Sequence, residues 1–378
     1  MNFDYTDEQQ QLADSVRKYL ANEYGFDKRR AIVDSATSVS GAVWAAFAEM
    51  GLTAIALPEA DGGFGGGAAD LMAVMEACGE ALVVEPLLDN VGLAGRLVAR
   101  SGSAAQRAAL LPGLIDGSLQ LAFAGSEPGG RYDPAPTTTT ARRAGDGWVL
   151  DGAKCVVIGA PSATRLIVSA RTAGAAGDAD GVSLFIVDHK AGGVALNPSR
   201  TVDGLRCADV SFSGVALGAD ALLGAPGAAL PHIEEAVDFA TALLCADAIG
   251  AMKSANDATL EYMKTRRQFG VPIASFQVLQ HRMVEMYIAT EQARSMAILA
   301  ASKVDAGGDA AERQRAVSAA KVKIADAARL VSQESVQLHG GMGMTEELKV
   351  SHTFRRLTMI AQRFGDADHH LERYAALT

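Results

Sequence analysis

The sequence predicts a mainly α-helical protein with a central β domain. Apolar residues recur at helical spacing towards both ends of the chain, while short segments rich in β-branched residues fill its middle. The length of 378 residues exceeds one ordinary core and fits two or three domains. We therefore predict an N-terminal helical domain over residues 1–118, a middle antiparallel β domain over 119–228 and a C-terminal helical bundle over 229–378.

The N-terminal helices have recognisable beginnings and ends. Thr6 followed by Gln9 is typical of a capping box that opens a helix. A second apolar stripe, from Trp44 to Met50, ends at a glycine. The glycine-rich loop 61–67 then precedes a third helix that runs towards Leu82. We interpret this loop as a helix-capping turn, because a phosphate-binding loop would follow a strand and carry Lys-Ser or Lys-Thr.

The middle section alternates short strand-like segments with turn residues. The dipeptide Asp146-Gly147 is a strong hairpin signal. The predicted strands cover residues 137–143, 148–151, 155–158, 165–171 and 182–187.

Long helical patterns return near residue 231. Residues 233–265 contain almost no helix breaker except Gly250, and residues 276–305 and 310–338 continue the pattern. Long helices with short connections predict an antiparallel bundle.

Composition excludes several classes of protein. The formal net charge of −10 argues against a nucleic-acid or anionic-membrane binder. No apolar stretch approaches the roughly 20 residues of a membrane span. The polar, acidic N-terminus differs from a signal peptide, and the four cysteines show neither CxxC nor zinc spacing. We expect a cytoplasmic protein with buried thiols and no metal site, since the segment Asp366–His370 alone gives poor tetrahedral geometry.

Three motifs occur in a fixed order along the chain. Phe123-Ala-Gly-Ser-Glu-Pro-Gly129 opens the β section, and Arg266-Arg-Gln-Phe-Gly-Val-Pro-Ile273 with Phe276-Gln277 follows the first long helix. Gln337-Leu-His-Gly-Gly-Met-Gly343 ends the third long helix. These motifs, with the order helical, β, helical, make the chain similar to the acyl-CoA dehydrogenase family of flavoproteins over essentially its whole length. The resemblance implies the acyl-CoA dehydrogenase fold, in which the C-terminal domain is a four-helix bundle.

The resemblance also implies an FAD site, and the residue types suit that ligand. A guanidinium fork and side-chain amides can bind phosphate and ribose, an aromatic ring can cover adenine, and glycines let backbone N–H groups approach closely. In the family, the arginine and phenylalanine reach an FAD held mainly by a neighbouring subunit, which implies an oligomer. The predicted FAD-binding residues are Arg266, Gln268, Phe269, Gln277, Gln337, Gly340 and Gly341, with Phe123 and Ser126 near the isoalloxazine.

The sequence departs from the family where the catalytic base is expected. The usual glutamate is Gly365, and a second base position known in the family is Ala240. Asp247 is our candidate base, because it lies two helical turns beyond Ala240 on the same face, within an apolar run. The alternative is an aspartate that pairs across the helix bundle. Asp366 and Asp368 are second choices.

Two further departures lie near the expected flavin and substrate. The resemblance places Val156 and Ile158 where relatives carry a Trp that shields the flavin and a Thr that binds its N5. Arg131 lies in the segment where relatives have a serine that contacts CoA. We leave open whether Arg131 holds a CoA phosphate or only covers the β-domain surface. The 364–371 ending and the 129–133 segment most resemble the small subunit of pimeloyl-CoA dehydrogenase-type enzymes, which pairs with a distinct large subunit.

The implied activity is FAD-dependent α,β-dehydrogenation of an acyl-CoA, within fatty acid β-oxidation and lipid metabolism, with electrons passed to an electron-transfer flavoprotein. The expected assembly is a homo-oligomer (dimer or tetramer) or a heterotetramer with a large homologous subunit. One alternative is a non-catalytic structural subunit that completes the FAD site of a homologous partner. Another is a flavin oxidase.

Overall fold

The computed structural model describes residues 5–377. A π-helix, Leu88–Gly95, lies between the fourth and fifth α-helices. The α-helices are α1 Asp7–Glu23, α2 Phe26–Asp34, α3 Gly41–Glu49, α4 Ala68–Ala81, α5 Arg96–Ser101, α6 Ala104–Ile115, α7 Leu230–Thr265, α8 Gln277–Asp305, α9 Ala310–His339, α10 Lys349–Gln362 and α11 Ala367–Ala376. The strands are β1 Leu121–Ala124, β2 Thr140–Ala144, β3 Gly147–Ile158, β4 Arg165–Arg171, β5 Val182–Asp188, β6 Val194–Arg200, β7 Arg206–Leu217, β8 Leu222–Leu223, β9 Arg267–Gln268 and β10 Val271–Pro272. The predicted order of helical, β and helical sections is confirmed.

The predicted caps of the N-terminal helices are present. The Thr6 hydroxyl accepts a hydrogen bond from the Gln9 N–H (3.2 Å), and the Gln9 side-chain oxygen accepts one from the Thr6 N–H (2.9 Å). At the start of α4, the carboxylate of Asp305 accepts hydrogen bonds from the N–H groups of Ala68 and Ala69. The glycine-rich loop therefore leads into α4, and the first N–H groups of this helix are bound by the carboxylate of Asp305.

The chain divides into two compact units, with boundaries within α2, just before α4, just after α4 and within α7. The first unit comprises the described parts of Met1–Ala31, Gly67–Val83 and Thr241–Thr378. The second comprises Ile32–Gly66 and Val84–Ala240. Within the described residues, no helix is long and apolar enough to cross a membrane.

The second unit is built around an eight-stranded sheet in the order β6-β7-β3-β2-β4-β5-β8, with β1 pairing to β4. Most pairings are antiparallel, but β1 and β2 each pair parallel to β4. The core on this sheet includes Trp148, Leu150, Phe185 and Phe212. The hairpin joining β2 to β3 turns at Gly145-Asp146, one residue before the predicted dipeptide, because Gly145 adopts the left-handed φ of +58°.

Three helices of the first unit surround a fourth. Helix α9 packs against α8, α10 and α11, and α8 also packs against α4. The lone glycine of the long apolar run, Gly250 in α7, allows a close approach to α4, because a Cβ placed there would lie 1.9 Å from the carbonyl oxygen of Glu76. Gly79 of α4 makes the matching close approach, because a Cβ placed there would lie 2.0 Å from the carbonyl oxygen of Asp247. Two glycines therefore set this helix crossing.

Candidate functional site

The arginine–phenylalanine motif of the first unit forms a small hairpin directly after α7. Strands β9 and β10 pair in antiparallel fashion, and Phe269 and Gly270 form their turn with φ of +54° and +83°. This turn type favours glycine and strains a phenylalanine. The Phe269 side chain is 91% exposed, and the edge of its ring meets Phe276 with the centroids 6.1 Å apart. The hairpin thus presents an aromatic ring away from its own unit.

The glutamine–glycine motif lies at the end of α9. Gly340 terminates the helix with φ of +60°, and a Cβ at Gly340 or Gly341 would meet nothing within 4 Å. The His339 ring stacks on Tyr262 of α7, with the ring centroids 4.4 Å apart. Because Tyr262 lies one turn before Arg266, this stack brings the ends of α7 and α9 together.

Polar side chains after α7, in the following hairpin, at the start of α8 and near the end of α9 are free to bind a ligand. Within the described residues, no hydrogen bond engages the side chains of Arg266, Gln268, Gln277 or Gln337. All four residues are exposed. One guanidinium and several amides, with open glycine backbone beside them, form a donor set suited to phosphate and ribose.

The predicted flavin-edge segments of the second unit also meet. Phe123 lies half-buried on β1, and Ser126 is exposed after the strand ends. The Ser126 carbonyl accepts a hydrogen bond from the Cys155 N–H (2.9 Å), which places Ser126 beside Val156.

Val156 adopts an unusual backbone conformation at an irregularity in the β3–β7 register. Its φ is +50°, a strained value for a β-branched residue. Its N–H donates to the Asp209 carboxylate at 3.0 Å, and the residue is 52% exposed. Such strain is concentrated at functional sites.

Sequence reasoning missed a buried ion pair beside this segment. Lys154 Nζ lies 2.7 Å from Glu127 Oε1 and also donates to Ser169 and the Gly125 carbonyl. Burial opposes the charge on Glu127, but Lys154 and the hydrogen bonds outweigh it and lower the pKa of Glu127 to about 2. The sequence signal for this pair was Lys154 itself, because a lysine within a strand of β-branched residues needs a partner when it is buried.

The three positions considered for the catalytic base, Ala240, Asp247 and Gly365, have different surroundings. Ala240 is fully buried in α7. Asp247 is 5% exposed, and its Oδ1 lies 3.5 Å from Nε of Arg356, whose guanidinium also donates to the Val83 carbonyl. These contacts match the alternative of an aspartate paired across the helices.

Gly365 lies in a loop that has no space for a side chain. Its φ is +124°, and a Cβ would lie 2.6 Å from atoms of both His369 and His370. Lys321 Nζ donates to the Gly365 carbonyl at 2.6 Å, and the His370 Nε2 lies 3.1 Å from the Phe364 carbonyl oxygen. Burial lowers the pKa of Lys321 to about 8 and that of His370 to about 3.

The exposed donor groups make the ends of these helices a candidate site for the phosphates and ribose of a dinucleotide. Family models for the N-terminal, middle and C-terminal domains of acyl-CoA dehydrogenases match residues 6–118, 122–215 and 230–376. The chain belongs to the acyl-CoA dehydrogenase family.

Relatives match along nearly the whole chain. Acyl-CoA dehydrogenase FadE12 of Mycobacterium bovis is 33% identical over 95% of this chain and 93% of its own. A solved variant of the steroid acyl-CoA dehydrogenase Tcur3481–Tcur3483 is 30% identical with a TM-score of 0.87, covering 98% of this chain and 97% of its own. The ChsE4–ChsE5 complex of Mycobacterium tuberculosis is 25% identical with a TM-score of 0.89, covering 100% and 98%.

The cofactor of this family member is FAD, and the residues present fit that group. The unengaged donors at the ends of α7 and α9 provide the cationic and amide groups that a dinucleotide needs. The open backbone at Gly340 and Gly341 adds N–H groups without steric obstruction.

Proposed function

We propose that the chain catalyses α,β-dehydrogenation of an acyl-CoA thioester and passes the electrons to an electron-transfer flavoprotein. The observation that carries this proposal is the exposed, unengaged set of donors at the ends of α7 and α9. In this reaction an enzyme base takes the α-proton, and FAD, when bound, accepts the β-hydrogen as hydride. The residues proposed to bind FAD are those predicted from the sequence.

We propose Asp247 as the base. A proton acceptor for a weakly acidic thioester must be shielded from water, and Asp247 is buried in α7. Its Oδ1 lies 3.5 Å from Nε of Arg356. The purely structural role of this ion pair is the competing interpretation.

A second candidate function is a non-catalytic subunit of a heteromeric enzyme. It is favoured by Gly365, where the structure leaves no space for the family's glutamate, and by Ala240 at the other base position. Two of the similar solved structures carry paired names, Tcur3481–Tcur3483 and ChsE4–ChsE5. In this alternative, the Phe269 hairpin completes the FAD site of a homologous partner. The resemblance to a small subunit, the three-domain boundaries and the cytoplasmic location stay predictions.

Absorbance spectroscopy of the purified chain distinguishes these functions. We expect a yellow protein whose 450 nm band bleaches without oxygen when a suitable acyl-CoA is added, and electron transfer to an added electron-transfer flavoprotein. Absence of bleaching with acyl-CoAs of short, long and cyclic acyl groups, with reduction restored by co-expression of a large homologous subunit, would favour the structural role. Hydrogen peroxide formed in air without another acceptor would indicate an oxidase.

A further inference from the structure

The end of α9 carries a buried aromatic side chain that is held from two directions. His339 is only 6% exposed, and its Nδ1 lies 2.8 Å from the carbonyl oxygen of Ser335, one turn earlier in the helix. Burial lowers the pKa of His339, and since the carbonyl can only accept, Nδ1 carries the hydrogen of the neutral ring. The ring plane is inclined by 26° to that of Tyr262, and the two centroids are 4.4 Å apart. These two contacts fix the orientation of the imidazole.

The turn that follows α9 packs against the same residue. Gly340 ends the helix with φ of +60°, and the chain continues as a 3-10 turn over Gly340–Met344. Gly343 of this turn is buried against α9, where a Cβ would lie 2.7 Å from the Val336 carbonyl oxygen and 3.0 Å from the Cβ of His339. The exposed backbone of residues 340–341 therefore belongs to a turn that rests on His339.

Tyr262, the partner in the stack, belongs to the last turns of α7. Its carbonyl accepts hydrogen bonds from the N–H of Arg266 (2.8 Å) and from the hydroxyl of Thr265 (3.1 Å). The Arg266 carbonyl in turn accepts the N–H of Ile273 at 2.8 Å, which closes the β9–β10 hairpin at the end of the helix. The position of the hairpin is thus tied through α7 to the ring that His339 contacts.

We propose that His339 is a positioning residue for the cofactor site. Its stack on Tyr262 joins the end of α7 to the turn after α9, so that Arg266 and the backbone of residues 340–341 keep a fixed spacing before a ligand binds. Donors that are already in place lose less conformational entropy on binding, which raises affinity. The inference rests on the proposed function, in which these groups bind FAD. His339 acts through its neighbours and needs no contact of its own with the cofactor.

The dissociation constant of FAD tests this role in the purified holoprotein, with its partner subunit if one is required. Release of FAD on dilution is followed by the rise in flavin fluorescence. An aromatic pair of this kind is worth about two- to tenfold in an equilibrium constant, so we expect His339→Ala to weaken FAD binding about three- to tenfold. His339→Phe, which keeps an aromatic ring against Tyr262, should restore the affinity to within about twofold of the wild type.

Leu338→Ala is the matched control. Leu338 is also 6% exposed, but neighbouring positions of a helix face in different directions. We expect this variant to lower the melting temperature through the cavity that it leaves, and to keep the wild-type affinity for FAD. The proposal is overturned if His339→Ala weakens FAD binding no more than Leu338→Ala does, or if His339→Phe fails to restore it.

Double-mutant cycles test how the effect reaches the site. Tyr262→Leu should weaken FAD binding as much as His339→Ala does, and the double variant should lose no more than either single one. In an Arg266→Ala background, His339→Ala should have a smaller effect, because one of the donors that it positions is absent. Additive losses in either cycle would contradict positioning through the stack.

FAD affinity separates this inference from the proposed function, because binding requires no turnover. If the variants behave as expected in a protein that acyl-CoA never bleaches, His339 has the positioning role and the dehydrogenase activity is refuted. If acyl-CoA bleaches the protein but His339→Ala leaves FAD affinity unchanged, only the role of His339 is refuted. An Arg266→Ala variant with wild-type FAD affinity would contradict the proposed FAD-binding residues and this inference together.

Discussion

Gly365 shows how a single residue limits the chemistry of this chain. The sequence comparison identifies only a missing glutamate, whereas the structure shows that no side chain fits there. A φ of +124° is accessible essentially to glycine, and both His369 and His370 occupy the Cβ direction. A carboxylate cannot be restored at this position without rebuilding the loop, so any base must come from elsewhere in this chain or from a partner.

Replacing Asp247 tests the proposed base. We expect Asp247→Asn to lower the rate of flavin reduction by acyl-CoA about 10²- to 10⁴-fold, because the amide cannot accept the α-proton. Stopped-flow absorbance at 450 nm measures that rate in the holoprotein.

Arg356→Lys is the matched control, since it alters the same buried ion pair and keeps the carboxylate. Removing one partner of a buried pair typically costs about 3 kcal/mol or more of unfolding free energy. If Asp247→Asn and Arg356→Lys are both destabilised but reduce flavin at the wild-type rate, Asp247 is a structural residue only.

At the scale of elements, the connection between α10 and α11 is held by groups from two helices. Ser318 and Lys321 lie one turn apart on α9, and His370 lies on α11. His370 Nδ1 is 3.2 Å from the Ser318 hydroxyl, and Nε2 is 3.1 Å from the Phe364 carbonyl oxygen. The neutral imidazole therefore accepts a hydrogen bond from the Ser318 hydroxyl and donates one to the Phe364 carbonyl.

Acid should lower the free energy of unfolding through His370 before most carboxylates titrate. Burial, followed by Lys321, His369 and Arg373, lowers the pKa of His370 from 6.5 to about 3. The unfolded chain thus binds a proton that the folded chain excludes, and stability is lost as pH falls below 6.5. Between pH 7 and pH 5 we expect a loss of about 2 kcal/mol from this histidine.

Urea unfolding at several pH values, compared with His370→Gln, measures this contribution. The variant should be less stable at pH 7 but should lack this part of the pH dependence. The exposed His281 provides the control, since His281→Gln should keep the wild-type slope. If the unfolding free energy of the wild type and of His370→Gln fell equally with falling pH, His370 would not be the source of this pH dependence.

At the scale of the whole molecule, the proposed function gives the exposed Phe269 hairpin a role in the FAD site of a neighbouring chain. A 91% exposed aromatic ring on a strained turn contributes little to the stability of its own chain. We expect Phe269→Ser to reduce bound FAD and the population of oligomers while changing the melting temperature of the FAD-free chain by less than about 1 °C.

Absorbance spectra and light scattering measure FAD content and mass. Phe64→Ser, which changes another exposed aromatic residue outside the predicted FAD set, is the control. Unchanged FAD content and mass in Phe269→Ser would refute a role for this hairpin in the assembled site.

Local sequence patterns predicted the long helices well. The expected ranges 276–305 and 310–338 differ from α8 and α9 by one residue at one end each. Such helices depend on repeated spacing and on few breakers, which the sequence displays directly. Strands β6 and β7 were not specified, because β6 contains Pro198 and both carry exposed polar residues, so their partners define them.

The order of helical and β sections, the family and the residue types available to bind FAD can all be predicted from the amino-acid sequence. These properties follow from periodicity and from motifs that are contiguous in the chain. The folded chain shows which groups are engaged: Asp247 faces Arg356, Glu127 pairs with Lys154, and Arg171 donates to the carbonyls of Ala135 and Thr137. The physical reason is that the charge and reactivity of a side chain depend on burial and partners, and those partners come from distant parts of the chain.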